Sequence, residues 1–210
     1  MKIAIIGAGN VGGTLGKRWA AKGHQIFFGT REPQSPKIRT LLQSMGSNAK
    51  AVNVNEAAPS AEVVVVATPW PAAEDALRMA GNLNGKVLVD CTNPLSSDLS
   101  GLLLGHTTSA AEQIAKWAPG ARVVKAFNTT GAGNMLNPQF GSEKASMFIC
   151  GSDTTAKTTV AHLAEELGFD VVDAGPLVNA RLLEPLAMLW INLAYQQRMG
   201  TNIAIKLLRR

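Results

Sequence analysis

The stretch at residues 2–13, KIAIIGAGNVGG, restricts the possible folds more than any other part of the chain. Ile3, Ala4, Ile5 and Ile6 read as a buried strand, and they run directly into Gly7, Ala8, Gly9, Asn10, Val11 and Gly12. The three glycines have the G-x-G-x-x-G spacing of a dinucleotide-binding turn. Gly7 permits the tight turn off the strand. Gly9 lets a pyrophosphate approach the backbone, and Gly12 lets the next helix pack close to the sheet. Helical spacing follows at once, with Leu15, Trp19 and Ala20 on one face. The helix start would then offer unpaired N–H groups and its positive dipole end to the phosphates. A second strand at residues 25–28 arrives at the distance a βαβ unit needs. A glycine-rich turn also occurs in other α/β proteins, but between a strand pattern and a helix pattern it predicts a cofactor site.

Composition removes other classes. The chain has 210 residues, of which 46% are hydrophobic and 17% charged, so it is globular and long enough for one sizeable core. The longest apolar run, residues 63–67, is a strand length and not a membrane span. The N-terminus enters the core strand directly, with no signal-peptide pattern, so a soluble cytoplasmic protein is expected. Cys91 and Cys150 each end a strand-like run and read as small buried residues rather than a disulfide or metal pair. His24, His106 and His162 lie far apart, and no metal site is expected. The net charge of +5 is scattered and carries no basic run with interleaved aromatics, which argues against nucleic acid.

Further along, the second strand ends at FFGTRE. An NAD-specific protein would carry an acid at its end to hold the ribose hydroxyls. Thr30 and Arg31 stand there instead, with Lys37 and Arg39 soon after, and Glu32 is one residue too late. A hydroxyl and a guanidinium suit a 2′-phosphate, so NADP(H) is the expected cofactor; the competing reading is a solvated loop arginine. The β-branched run Val63–Val66 predicts a central parallel strand. It feeds Thr68, Pro69, Trp70 and Pro71, at a strand end where ligands gather; Trp70 would either flank the nicotinamide or cap the core. A strand at residues 86–90 feeds Cys91, Thr92, Asn93, Pro94 and Leu95. Residues 96–106 are polar and broken by Gly101 and Gly105, and form the one long loop. A strand at residues 122–126, ending at Ala126, feeds the small, polar run Phe127, Asn128, Thr129, Thr130, Gly131, Ala132 and Gly133. Strands at residues 147–150 and 170–173 with a helix between them complete the alternation, and residues 179–208 read as mostly helical. The fold expected is a Rossmann-type doubly wound, mainly parallel sheet of about eight strands. The domain division expected is a dinucleotide-binding domain at residues 1–178 and a helical tail at residues 179–210.

Several motifs together resemble one family: GAGNVG, FFGTRE, the TPW loop, ICGSD, DAGPL-x-NARLLE and MG-x-x-x-A-IKLL. Over essentially its whole length the chain is similar to the coenzyme F420-dependent NADP oxidoreductases. That resemblance implies a Rossmann-fold enzyme moving a hydride between NADP(H) and a deazaflavin. It implies that Ala8, Gly9, Asn10 and Val11 form the phosphate loop, that Thr30 and Arg31 read the 2′-phosphate, and that Thr68, Pro69 and Trp70 lie beside the cofactor. After the sixth strand the family carries a His-Thr-Ile-Pro type sequence, where this chain has Phe127, Asn128, Thr129, Thr130 and Gly131. That form also resembles the cytosolic NADPH domain of six-transmembrane metalloreductases, which pass electrons to a flavin.

The expected function is therefore an NADPH-dependent oxidoreductase with coenzyme F420, FMN or FAD as the flat acceptor ring. Asn93, Pro94 and Ala126 would adjoin the cofactor. Asn128, Thr129, Thr130 and Gly131 would hold the acceptor, with Gly131 leaving room for its ring. Hydride transfer needs no catalytic side chain, and none is assigned. A hydroxyacid or alcohol dehydrogenase would need a proton donor; the only tyrosine, Tyr195, has Met199 four residues on, and Lys125 lies inside a strand. A non-enzymatic NADP(H)-sensing module remains a further alternative. The apolar surround of residues 179–208 predicts a homodimer through these helices.

Overall fold

The computed structural model describes all 210 residues, Met1–Arg210. Eight strands form one sheet. β1 is Lys2–Ile6, β2 Gln25–Gly29, β3 Ala49–Val52, β4 Val63–Val66, β5 Val87–Asp90 and β6 Arg122–Lys125. A two-stranded hairpin, β7 (Gln139–Phe140) and β8 (Glu143–Lys144), stands apart, and β9 (Ser146–Gly151) and β10 (Asp170–Asp173) return to the main sheet. The order is β10-β9-β6-β5-β4-β1-β2-β3. The first six strands are all parallel; β9 joins β6 antiparallel and carries β10 parallel to itself. The chain begins at β1 and winds outward to both sides, so the strand order reverses between β1 and β4. In such sheets the crevice at the carboxyl ends beside that reversal is where ligands bind.

Burial explains the arrangement. All four valines of β4 are at most 1% exposed, as a central strand covered on both faces requires. One face is covered by α1 (Asn10–Ala21) and α7 (Thr154–Leu167), joined through Trp19, whose indole N–H donates to the Leu163 carbonyl at 3.0 Å. The short α3 (Val54–Ala57), α4 (Ala73–Ala80) and α5 (Ala110–Trp117) cover the other. Proline and polarity confine α2 (Pro36–Gln43) to the rim beside β3, where Ile38 is its one buried residue.

Two expectations change at the C-terminal third. A five-residue helix, α6 (Ala132–Leu136), begins within the run after β6 that reads in the sequence as a small, polar loop. The tail is helical only through α8 (Ala180–Ile191) and a π-type turn to Gln196. Arg198, at φ 57°, and Gly200, at φ 77°, turn the chain out of the helix. Residues 197–210 instead run back as an unwound strap. The Ile203 carbonyl accepts from the Trp190 indole at 2.8 Å and from Asn134 Nδ2 at 2.7 Å, and the Ile205 carbonyl accepts from the Ser146 N–H at 3.0 Å. Side-chain donors and the β9 edge thus satisfy carbonyls that a helix would have satisfied internally. No helix is long and apolar enough to cross a membrane.

Candidate functional site

The glycine turn takes the form its spacing predicted. Gly7 has φ 106°, and a Cβ there would stand 2.6 Å from the Ala67 carbonyl at the end of β4. At Gly12 a Cβ would stand 1.9 Å from the Gly7 carbonyl, so α1 can sit this close to β1 only with glycine. Gly9 is the N-cap of α1 and has open space where a side chain would be. No acid occupies the first turn, which leaves the amino end of α1 open to an anion.

A cleft of about 490 Å³ opens beside this turn. Gly7, Ala8 and Gly9 form one wall, Thr68 and Pro69 another, and Thr30, Arg31 and Lys37 the far end. Asn10, Val11 and Gly12 lie in the first turn of α1, outside the cleft wall. The Thr30 hydroxyl accepts from the Glu32 N–H at 3.0 Å and so fixes the bend after β2. Arg31 and Lys37 are exposed. No carboxylate lies within ion-pair distance of either. The Thr68 hydroxyl is buried at the cleft and has no hydrogen-bond partner. Val54, Ala76 and Met79 add an apolar wall that the sequence reading missed; their only signal was helical spacing, which they share with every core residue. These features fit a dinucleotide: a flat apolar slot, a phosphate turn, two uncommitted cations and a hydroxyl in want of a partner. Trp70 lies outside the cleft. It stacks on Trp117 with centroids 5.1 Å apart and planes 28° apart, against the α4–α5 side of the core. Its core-capping role is the one observed.

The loops after β5 and β6 are built differently. Phe127 is 1% exposed and has φ 61°, a conformation that costs an ordinary residue roughly 1–2 kcal/mol. Its ring offsets this by packing edge-on against Trp19, at 5.6 Å, and Phe169, at 6.4 Å. Asn128, Thr129 and Thr130 are at most 9% exposed, and Ala126 and Pro94 are buried beneath them. Asn93 and Asn128 hold each other. Asn93 Nδ2 donates to the Asn128 carbonyl at 2.9 Å, and Asn128 Nδ2 donates to Asn93 Oδ1 at 3.0 Å. Asn128 Nδ2 also donates to the Leu183 carbonyl of α8 at 3.1 Å, while its Oδ1 is buried and unpartnered. The Thr130 hydroxyl accepts from Asn134 Nδ2 at 2.7 Å. The room expected at Gly131 is occupied, because a Cβ there would stand 2.7 Å from Cη2 of Trp190. The four expected acceptor residues are thus brought together, but under α8: Asn128 is bonded to it, Thr130 is bonded to Asn134 of α6, and Gly131 lies against Trp190. Gly133 keeps open space.

Beneath this loop lies a cluster to which the sequence reading gave no role. Asp90, Lys125 and Glu184 are at most 1% exposed. The Lys125 ammonium donates to Asp90 Oδ2 at 2.8 Å and to the Thr92 carbonyl at 2.6 Å, and it stands 2.8 Å from Glu184 Oε1. Burial alone would lower the Lys125 pKa. The facing charges of Asp90 and Glu184 outweigh it and hold the group above the ordinary lysine value. The available signal was three charges inside apolar runs: VLVD, VVK and LLEPL. Both thiols lie buried nearby. Burial, with Asp90 close by, pushes Cys91 up, and burial pushes Cys150 to about 12, so neither is a nucleophile at neutral pH.

The chain is similar to several known proteins. Residues 2–94 match the family model described as NADP oxidoreductase coenzyme F420-dependent. The chain is 31% identical over 212 residues to the F420-dependent NADP reductase of Methanothermobacter marburgensis, covering 94% of each. It is 34% identical over 188 residues to Metalloreductase STEAP3 of Rattus norvegicus; the match takes in 89% of this chain but spans only 36% of that protein's length. A crystal structure from Arthrobacter sp. FB24, provisionally named an F420-dependent NADP-reductase, superposes with a TM-score of 0.91 at 36% identity over the whole of both chains.

Proposed function

The chain belongs to the F420-dependent NADP oxidoreductase family, and from that premise we propose that it transfers a hydride between NADP(H) and a deazaflavin or flavin ring. Membership makes it an NADP-dependent oxidoreductase; the identity of the acceptor is the proposed part. The observation that carries the cofactor half is the open cleft, with Arg31 and Lys37 uncommitted at the end of β2. Arg31 would take the 2′-phosphate in charge-assisted hydrogen bonds, with Lys37 as a second positive charge. The turn at Gly7, Ala8 and Gly9 and the amino end of α1 would take the pyrophosphate. The Thr68 hydroxyl would find its missing partner on the bound dinucleotide.

NADPH supplies the hydride when bound. The protein's part is to align two rings and keep water out. Asn93, held by Asn128, would border that space at the β5 end. No side chain there is free to protonate an alkoxide. Lys125 is committed to two carboxylates and Tyr195 is 57% exposed beyond α8, which disfavours an alcohol or hydroxyacid dehydrogenase. Likeness to the archaeal F420-dependent NADP reductase supports a deazaflavin first, and a flavin is the second acceptor proposed. Mixing NADPH with coenzyme F420, FMN and a panel of small carbonyls in a stopped-flow instrument tests this. Rapid oxidation by a ring acceptor is expected, and oxidation by carbonyls alone would overturn the proposal.

A homodimer is part of the same reading. Leu182 and Leu189 of α8 are 67% and 52% exposed, and a groove of about 830 Å³ separates α8 from the loop at residues 102–106. A second copy would cover this apolar face. A monomer by light scattering at micromolar concentration would count against it.

A further inference from the structure

The buried charges are more than α8 needs for attachment. A set of apolar side chains of similar volume would hold a helix to a sheet edge as well, or better, because each buried ion must first lose its water. Yet every group in the cluster is satisfied. Glu184 accepts from the Ala110 and Ala111 N–H groups at 2.9 and 3.2 Å, and it also faces Lys125. Asp90 Oδ1 accepts from the N–H and hydroxyl of Thr92, both at 2.8 Å. Two carboxylates and one ammonium leave a net negative charge, set against the positive amino end of α5. Four parts of the chain are therefore fixed in one register: the ends of β5 and β6, the start of α5, and α8. Directional bonds of this kind set a position, where apolar contact would tolerate sliding.

That register governs the loop above it. Leu183, adjacent to Glu184, supplies the carbonyl that holds Asn128 Nδ2, and Asn128 in turn holds Asn93. Since Asn128 Oδ1 has no partner, its amide is oriented entirely through Nδ2. A small shift of Leu183 would remove one of the two bonds that orient this amide and leave it held by Asn93 Oδ1 alone, so the Asn93–Asn128 pair would keep its mutual bonds but lose its tie to α8.

We propose that Asp90, Lys125 and Glu184 form a charged latch that sets α8 over the loop at residues 127–131 and so positions Asn128 and Asn93 for the hydride acceptor. All three are positioning residues. The acceptor clause rests on the function proposed above; the latch itself does not.

Glu184→Gln keeps the size and removes the charge, so it tests the latch. Hydrogen exchange of the protein without ligand is expected to quicken at least tenfold in α8 and residues 126–131, with residues 2–21 unchanged. NADPH affinity should stay within twofold. With coenzyme F420 and FMN as acceptors, KM should rise at least tenfold while kcat stays within threefold. A merely structural loss would lower kcat with the active fraction and leave KM alone, and that result would overturn the proposal. Unchanged exchange at residues 126–131 would also overturn it. Asn128→Ala cuts the connection above an intact latch and covers the case in which Glu184→Gln does not fold. It should raise the acceptor KM similarly without quickening exchange in α8, and an unchanged KM would refute the link. If the wild-type protein reduces neither acceptor, the functional reading fails while the exchange data still decide the latch.

Discussion

At the β1–β2 end of the carboxyl edge, Arg31 and Lys37 stand exposed around an open cleft, and the turn beneath them is made of glycines within six residues of one another. At the β5–β6 end, Asn128, Thr129 and Thr130 are buried under α8, and residues as distant as Asp90 and Glu184 hold the scaffold. The first region keeps its polar groups in reserve for a ligand. The second has already used them on itself. Substitutions at the β1–β2 end should therefore change ligand binding with little effect on stability, and those at the β5–β6 end should change stability or, in the proposed reaction, acceptor handling through stability of position.

The largest expected effect tests the second half of that contrast. Lys125→Met would leave the Asp90 and Glu184 carboxylates buried without their cation, at a cost of about 3–5 kcal/mol. Urea unfolding would register it, and Arg31→Ala measured alongside should lie within about 0.5 kcal/mol of wild type. Similar losses from both would break the comparison. Because the Lys125 pKa is raised by folding, its contribution is complete below the ordinary lysine value of about 10.4 and fades only as pH rises through the folded value. The difference between wild type and Lys125→Met should therefore stay level from neutrality up to about pH 10.

Next comes cofactor choice. Charge-assisted bonds from Arg31 to a 2′-phosphate contribute roughly 1.5–3 kcal/mol, or about a ten- to hundredfold preference for NADPH over NADH. Arg31→Ala should remove most of that preference and leave NADH affinity nearly unchanged, as fluorescence titration of both cofactors would show. Equal losses for the two would make Arg31 structural.

Two glycines of the acceptor loop sharpen the contrast within one region. Gly131→Ala would drive a methyl group into Trp190 and should destabilise the protein by about 1–3 kcal/mol. Gly133→Ala meets nothing within 4 Å and lies in α6, so it should be neutral or stabilising by up to about 1 kcal/mol. Thermal melts of the pair suffice, and equal behaviour would mean that Trp190 does not pack where it is placed.

The smallest effect concerns the surface tie between α5 and α8. The hydrogen bond from Arg181 holds the Glu112 carboxyl below its ordinary value of 4.5. Its stabilising contribution is thus present above that value and is lost as pH falls through the folded pKa. Glu112→Gln should be slightly less stable than wild type at pH 7 and indistinguishable from it at about pH 2. A gap that persists in acid would mean that the side chain acts through packing rather than charge.

What the sequence determined by itself is the part written in local spacing. The glycine turn, the β-branched run of β4 and the TRE end of β2 each declare their structure within a few residues, because backbone sterics, strand burial and phosphate chemistry act over that range. The mainly parallel, doubly wound sheet and the cleft beside the glycine turn agree with them. The β5–β6 end was decided only in three dimensions. Spacing alone could not show that Gly131 faces Trp190, that Trp70 turns to Trp117, or that the last residues leave the helix to run back along β9. Nor could it show that charges at positions 90, 125 and 184 meet. All of these but the Trp70–Trp117 stack depend on where α8 lands, and α8 is tied to Lys125, Asn128 and Ala110, each more than 50 residues distant in the chain, whose burial becomes favourable only once the sheet exists.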